Sequence, residues 1–323
     1  WNSLDHRDGV IKWTGGSWTE ISPIRGSICR GLAADDSGHV YATMDLPAPG
    51  RTTIMKLTDG TWTTFAADVL HSVNAFAFDE SGNVYIGGNF TRVDGVAAVS
   101  VAKWNGTAWS ALSSGVNGTC VRALAVDSSE NLYAGGDFTV AGRASTLGAA
   151  KWNGSFWTAL GDGLIGNSGG YYVRAIATDN SGNVYAGGFF TTPNGAPANY
   201  VAKWNGSMWS ALGSGTDLAV FALATDALGN VYAGGGFSRA GGVAANHVAK
   251  WNGNSWSALG SGMNNDLHAL ALDSSGSVYA GGWFTTAGGI AANYVAKWDG
   301  NAWSALGSGM NNCVEALAVD DSG

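Results

Sequence analysis

Along this chain, short runs of apolar and small residues alternate with clusters of polar turn residues. No segment of ten or more residues carries apolar positions at helical three-and-four spacing free of glycine. In the stretch that opens at Val121 the runs predict four strands. Strand A covers Val121–Val126, B covers Leu132–Phe138, C passes through Ala150-Lys151-Trp152, and D lies around Trp157-Thr158-Ala159-Leu160. Asp127-Ser128-Ser129-Glu130-Asn131 reads as a tight polar connection from A to B, and Asn153-Gly154 as the turn from C to D. Strand periodicity puts Trp152 and Trp157 on one face, which predicts an indole pair for packing between sheets. The alanines of Ala123-Leu124-Ala125-Val126, and Gly-Gly pairs such as Gly87-Gly88 and Gly281-Gly282, predict sheets that approach closely.

This unit repeats. The second tryptophan falls at Trp18, Trp62, Trp109, Trp157, Trp209, Trp256 and Trp303, in steps of 44, 47, 48, 52, 47 and 47 residues, the length of one four-stranded propeller blade. The A strands end at Asp35, Asp79, Asp127, Asp179, Asp226, Asp273 and Asp320. The expected fold is therefore all-β, a seven-bladed β-propeller with four-stranded blades over residues 1–323 as a single domain. Because the chain opens with a C-D hairpin at Val10 to Ile21 and closes on an A strand at Val314 to Val319, the ring is expected to be sealed by joining the two. One B strand, after Ser322-Gly323, is missing from this count. Residues Trp1 to Leu4 could fill its slot, but the favoured expectation is that the sequence is a segment of a longer protein.

The motifs Ala-Leu-Ala-Val-Asp and Asn-Leu-Tyr-Ala-Gly-Gly-Asp-Phe, between Ala123 and Phe138, resemble bacterial short propeller repeats, especially the delta-sixty type and more distantly the NHL repeat. The resemblance implies architecture, and a place in large secreted or surface proteins, rather than a particular ligand. The first unit departs from it, with Met44-Asp45-Leu46-Pro47 in place of Gly-Gly-x-Phe and Lys56-Leu57 in place of Lys-Trp.

Charge narrows the partners. Charged residues make up only 12% of the chain and the formal net charge is −8, with no basic run to offset it, which disfavours nucleic acid. No apolar stretch of about 18 residues is present, so no membrane insertion is expected of this segment. Cys29, Cys120 and Cys313 are too few and scattered for a disulfide framework or metal cluster, and free thiols are expected. Neither a cofactor nor a metal is implied. The recurring Asp-x-Ser-Gly-Asn offers oxygens, but one carboxylate per loop suits a turn cap better than a calcium cage. The lysine before each first tryptophan is expected to lie solvated with its stem over an indole.

No catalytic signature occurs in a suitable context, so the candidate site is sought where the repeats differ. Five residues before the recurring Asp stand Arg30, Asn74, Arg122, Arg174, Phe221, His268 and Glu315, expected to ring one mouth of the central channel. Between Gly-Gly and Phe stand Asn89, Asp137, Phe189, Gly236 and Trp283, and four before the first tryptophan stand Ser100, Gly148, Tyr200, His247 and Tyr294. Both sets flank the B-C connection on the same face. Varied polar and aromatic groups on one rigid face suit an extracellular or cell-surface recognition or scaffold module for a protein or glycan. The alternative is a polysaccharide hydrolase or lyase with His268 and Glu315 as acid-base partners and Arg122 or Arg174 holding a sugar carboxylate.

Overall fold

The structure, a computed structural model, describes residues 9–24, 27–46, 50–164, 166, 173–190 and 198–319. Strands Val116–Val126, Leu132–Ala141, Ala149–Trp152 and Trp157–Ala159 form an antiparallel sheet in the order A-B-C-D, with Ala144–Ser145 folded back on B. Strand A starts earlier and B ends later than the alternation indicates, because Val116 and Asn117 pair with Ala141 and Val140 beyond a bulge. Three four-stranded sheets repeat the order, opening with Val173–Thr178, Val220–Thr225 and Leu267–Leu272. Earlier in the chain, Thr61–Phe78 runs unbroken from D of one unit into A of the next, merging two units into an eight-stranded sheet.

Neighbouring sheets meet through small clusters of buried side chains rather than one central core. Phe90, Phe138, Phe190, Phe237 and Phe284, one per unit at the end of B, are each almost wholly buried. The indole pairs stand directly opposite across C and D, as at Trp152 and Trp157, with ring centroids 5.1–5.6 Å apart. Every second indole but Trp109 also ties its unit to another. Trp157 Nε1 donates to the Leu112 carbonyl at 3.1 Å, Trp209 to Leu160, Trp256 to Leu212 and Trp303 to Leu259. Trp62 donates likewise to Ile21 and Trp18 to Leu306, across the two ends of the chain. Trp109 Nε1 is buried without a partner.

One expectation is corrected. The lysines lie over tyrosine, not indole: Lys151 pairs across from Tyr133, and its Nζ stands 5.5 Å from that ring's centroid. Lysine is one residue from the tryptophan, so strand alternation sends the two to opposite faces. The two ends of the chain lie beside each other. Ile11–Trp13 pairs with Trp18–Glu20 as a separate two-stranded sheet, Val314–Val319 adopts no assigned strand, and among the described residues no backbone hydrogen bond joins the two segments. In the order A-B-C-D of the other sheets, an A strand pairs with B and not with C. Side chains do meet there, Trp13 and Trp18 packing with Val314, Leu317 and Val319. Asp320 and residues 1–4 lie outside the described residues.

Candidate functional site

The A-B turn binds itself. Asp127 Oδ1 accepts from the Ser129 and Asn131 backbone N–H groups at 2.9 Å, while Oδ2 accepts from the Tyr133 hydroxyl at 2.9 Å. Asp35, Asp79, Asp179, Asp226 and Asp273 repeat the arrangement, each taking its tyrosine hydroxyl. This is the turn-capping role expected of the recurring aspartate, with its oxygens committed to protein donors.

The residues five before that aspartate share a geometry that the sequence conceals. Asn74, Arg122, Arg174, Phe221 and His268 each sit at a register shift of the A-B ladder, between Val73 and Ala75, Val121 and Ala123, Val173 and Ala175, Val220 and Ala222, and Leu267 and Ala269. Arg30 lies in the corresponding irregularity between Cys29 and Leu32. A bulge opposes two residues to one and re-aims a side chain out of the pleat. The Gly-Gly pair opposite explains why the bulge forms there. A Cβ on Gly136 would fall 2.2 Å from the Cys120 carbonyl oxygen, so only glycine lets B pass the bulged strand.

The re-aimed side chains meet one another between units. Arg174 lies over the Phe221 ring at 5.8 Å, Phe221 meets His268 edge-on at 5.5 Å, and His268 Nδ1 is 3.0 Å from Glu315 Oε2. Phe189 packs on Phe221 at 5.7 Å. Asn74 Nδ2 donates to Cys120 Sγ at 2.9 Å and to the Val121 carbonyl in the next unit. Arg30 pairs with Asp45 at 2.5 Å and Arg122 with Asp137 at 2.5 Å, each a partner on its own B strand. Asp137 Oδ1 is buried and has no hydrogen-bond partner. Hydrogen bonds from His268 and Cys313, outweighing burial, hold the Glu315 carboxyl below its ordinary range, and burial with the Glu315 charge pushes the Cys313 thiol up. The ligand atoms of His268, Cys313 and Glu315 lie within 4.8 Å of one another, a mixed set closer to zinc than to calcium chemistry. The three cysteines are free thiols.

The B-C connection carries the second group of varied residues. Ser100, Gly148, Tyr200, His247 and Tyr294 all adopt positive φ, between 62° and 74°. Each is fixed by two backbone hydrogen bonds; the Tyr294 N–H donates to Phe284, and its carbonyl accepts from Gly282. Four non-glycine residues thus hold a left-handed conformation that costs roughly 1–2 kcal/mol. Gly148 was the sequence's trace of this geometry. The D-A and B-C connections do share one end of the sheets: Thr216 bridges to Ala240 and Met263 to Ala287. His247 lies 3.5 Å from Asp266 on that end. Trp283 and Phe189 stay 47% and 40% exposed there, beside the B-strand glycines.

No described helix is long and apolar enough to cross a membrane. Among solved structures, the chain is similar to the WD40 β-propeller domain of Doa1, at 12% identity and TM-score 0.57 over 98% of this chain and 90% of that one. It is also similar to hydrazine synthase of Kuenenia stuttgartiensis (10%, 0.52, covering 91% and 90%) and to YCF48 bound to D1 peptide (15%, 0.51, covering 93% and 85%). No curated protein matches it by sequence. Residues 52–223, more than half of the chain, match the family model of the Rax2 C-terminal beta propeller domain, a propeller family as the repeat implied, although the match does not extend to the delta-sixty or NHL assignment. With that match and an all-β structure superposable on propellers, the chain belongs to the Rax2 C-terminal β-propeller family.

Proposed function

We propose that residues 1–323 form one seven-unit propeller whose ring is completed by the contact of its two ends, and that it is a non-enzymatic recognition or scaffold module acting outside the cell. The donation from Trp18 to the Leu306 carbonyl, in series with the equivalent bonds between consecutive units, supports the seven-unit ring. The run of bulges carries the functional reading: Arg174, Phe221, His268 and Glu315, from successive units, touch in sequence at one rim. Strain and bulges at varied residues are features that structures keep where a surface does something. Exposed Trp283, Phe189 and Leu218 supply apolar area, and Asp137, His247 and Asn74 supply polar direction, the mixture suited to a protein loop or a glycan. A propeller of similar fold, YCF48, has been solved with a peptide bound.

The test is a panel of glycans and peptides presented to the wild type and to a variant carrying Phe189→Ala, Phe221→Ala and Trp283→Ala, with a reducing-end assay alongside. Binding by the wild type that weakens at least tenfold in a variant with unaltered circular dichroism supports the rim. Equal binding by both proteins places the ligand elsewhere. Reducing-end release that vanishes in His268→Ala would instead establish the polysaccharide-cleaving alternative.

A further inference from the structure

A bulged side chain can reach the next unit two residues before that unit's own varied position. Asn74 shows the relation: its Nδ2 donates at 2.9 Å to the sulfur of Cys120, which stands two before Arg122. The same relation joins His268 to Cys313, which stands two before Glu315. Asn74 and Cys120 bring an amide and a thiol together. His268, Cys313 and Glu315 bring together an imidazole, a thiol and a carboxylate. His268 Nδ1 stands 3.0 Å from Glu315 Oε2, Cys313 Sγ stands 3.2 Å from Glu315 Oε1, and the three ligand atoms all lie within 4.8 Å of one another.

A tetrahedral ion with bonds of about 2.0–2.3 Å separates its ligand atoms by about 3.3–3.6 Å. The three donors therefore stand at nearly the spacing such an ion requires. Calcium calls for six to eight oxygens, whereas one nitrogen, one sulfur and one carboxylate oxygen suit a borderline ion such as zinc. Both segments that carry the donors rest on one sheet. His268 sits in the bulge of Leu267–Leu272, its ring edge-on to Phe221 at 5.5 Å. Beside Cys313, the Val314 N–H donates to the Gly282 carbonyl at 3.4 Å, and a Cβ on Gly281 would meet Val314 Cγ1 at 2.6 Å. The Cys313 N–H is itself held by Asn312 Oδ1 at 2.9 Å. His268 and Cys313 are half-buried and Glu315 is exposed, which leaves a fourth ligand position to water.

We propose that His268, Cys313 and Glu315 form an open zinc site of three protein ligands and one water, between Leu267–Leu272 and the segment that opens at Cys313. On binding, the thiol releases its proton to solvent, and the contacts of Glu315 with His268 and Cys313 are exchanged for bonds to the ion. Thiolate and carboxylate together balance the two charges of the metal. The site needs no ligand but the ion, so it stands or falls separately from recognition at the rim.

The experiment titrates the 323-residue protein, first stripped with a chelator, with cobalt(II) and then with zinc(II). One equivalent of cobalt is expected to raise a thiolate-to-cobalt charge-transfer band, which zinc then bleaches. Cys313→Ser should abolish the band. His268→Ala and Glu315→Gln should each weaken cobalt binding by more than about 10-fold, because loss of even an outer partner of a ligand costs about 10–100-fold. Cys120→Ser should bind as the wild type does, and circular dichroism confirms that each variant folds. In the wild type, zinc should slow alkylation of Cys313, followed by peptide mass, and leave that of Cys120 unchanged. A wild type that gives no band, a band that survives Cys313→Ser or vanishes in Cys120→Ser, or alkylation of Cys313 indifferent to zinc would each overturn the site.

Discussion

At the residue scale the aspartate of the A-B turn shows how one side chain fixes a local structure and sets a pH response. Burial raises the Asp273 pKa, but donations from the Ser275 hydroxyl, the Ser277 N–H and side chain, and Lys297 outweigh it and bring the group to about 2. Asp35, Asp127, Asp179 and Asp226 are likewise held below their ordinary value, burial opposing and hydrogen bonds prevailing. A carboxyl with a depressed folded pKa contributes fully above its unfolded pKa, about 4, and loses that contribution as the pH falls through the folded value. Melting temperatures should therefore be flat from about pH 8 to 5 and decline from about pH 4 toward pH 2. A decline starting near pH 6 would mean that histidines govern the transition. Asp127→Ala should cost about 2 kcal/mol, and Tyr133→Phe about 1 kcal/mol, in denaturant titrations. The capping role was legible from Asp-x-Ser-Gly-Asn because the side chain reaches only its own turn. The positive φ of Tyr200, His247 and Tyr294 was not, since nothing in an aromatic residue announces a left-handed backbone.

At the scale of the element, the two glycines of each Gly-Gly pair answer different neighbours. A Cβ on Gly135 would press on side chains of the next sheet, Val173 Cγ1 at 2.6 Å and Ile176 Cδ1 at 2.7 Å, whereas one on Gly136 would strike a carbonyl of its own sheet. Side chains can shift where a hydrogen-bonded backbone cannot. Gly135→Ala should cost about 1–3 kcal/mol and Gly136→Ala more, from chemical denaturation of the single variants. Equal costs would show that the bulge yields as readily as a side chain. Close approach of sheets was readable from the alternating Ala and Gly, and the strand order from the turns. The bulge was not, because periodicity counts residues within a strand and a bulge is a mismatch between two strands. Its indirect sign was the variability of Arg122, Arg174, Phe221 and His268 between a Val or Leu on one side and an Ala on the other. In the first unit the small residue has changed strands: Gly31 faces Thr43, whose Oγ1 accepts from the Gly31 N–H at 2.7 Å.

At the scale of the whole molecule the repeat made the architecture legible, since a period near 47 residues with four strand signals leaves few alternatives to a propeller. Its phase told which segments are neighbours, as the packing of Trp13 and Trp18 with Val314, Leu317 and Val319 shows. That seam should also be the least stable part of the protein. A two-stranded sheet is marginal by itself. Here Ile11–Trp13 and Trp18–Glu20 depend on the Trp18 bond to Leu306, the Trp62 bond to Ile21, and side-chain packing against Val314, Leu317 and Met44. The four-stranded sheets, by contrast, have central strands bonded on both edges and buried along their length. Local openings with the smallest free energy occur where backbone bonds are few and solvated. Native-state hydrogen exchange should accordingly show the amides of Ile11–Glu20 opening at denaturant concentrations that leave Val184–Gly188, Val231–Gly235 and Val278–Gly282 protected. Trp18→Phe, which removes one bond worth about 1 kcal/mol, should widen that difference, while Trp109→Phe, whose indole N–H has no partner, should leave stability nearly unchanged. Uniform protection from Ile11 to Gly282 would mean that the protein opens as one cooperative unit and that the hairpin Ile11–Glu20 is no weaker than the four-stranded sheets.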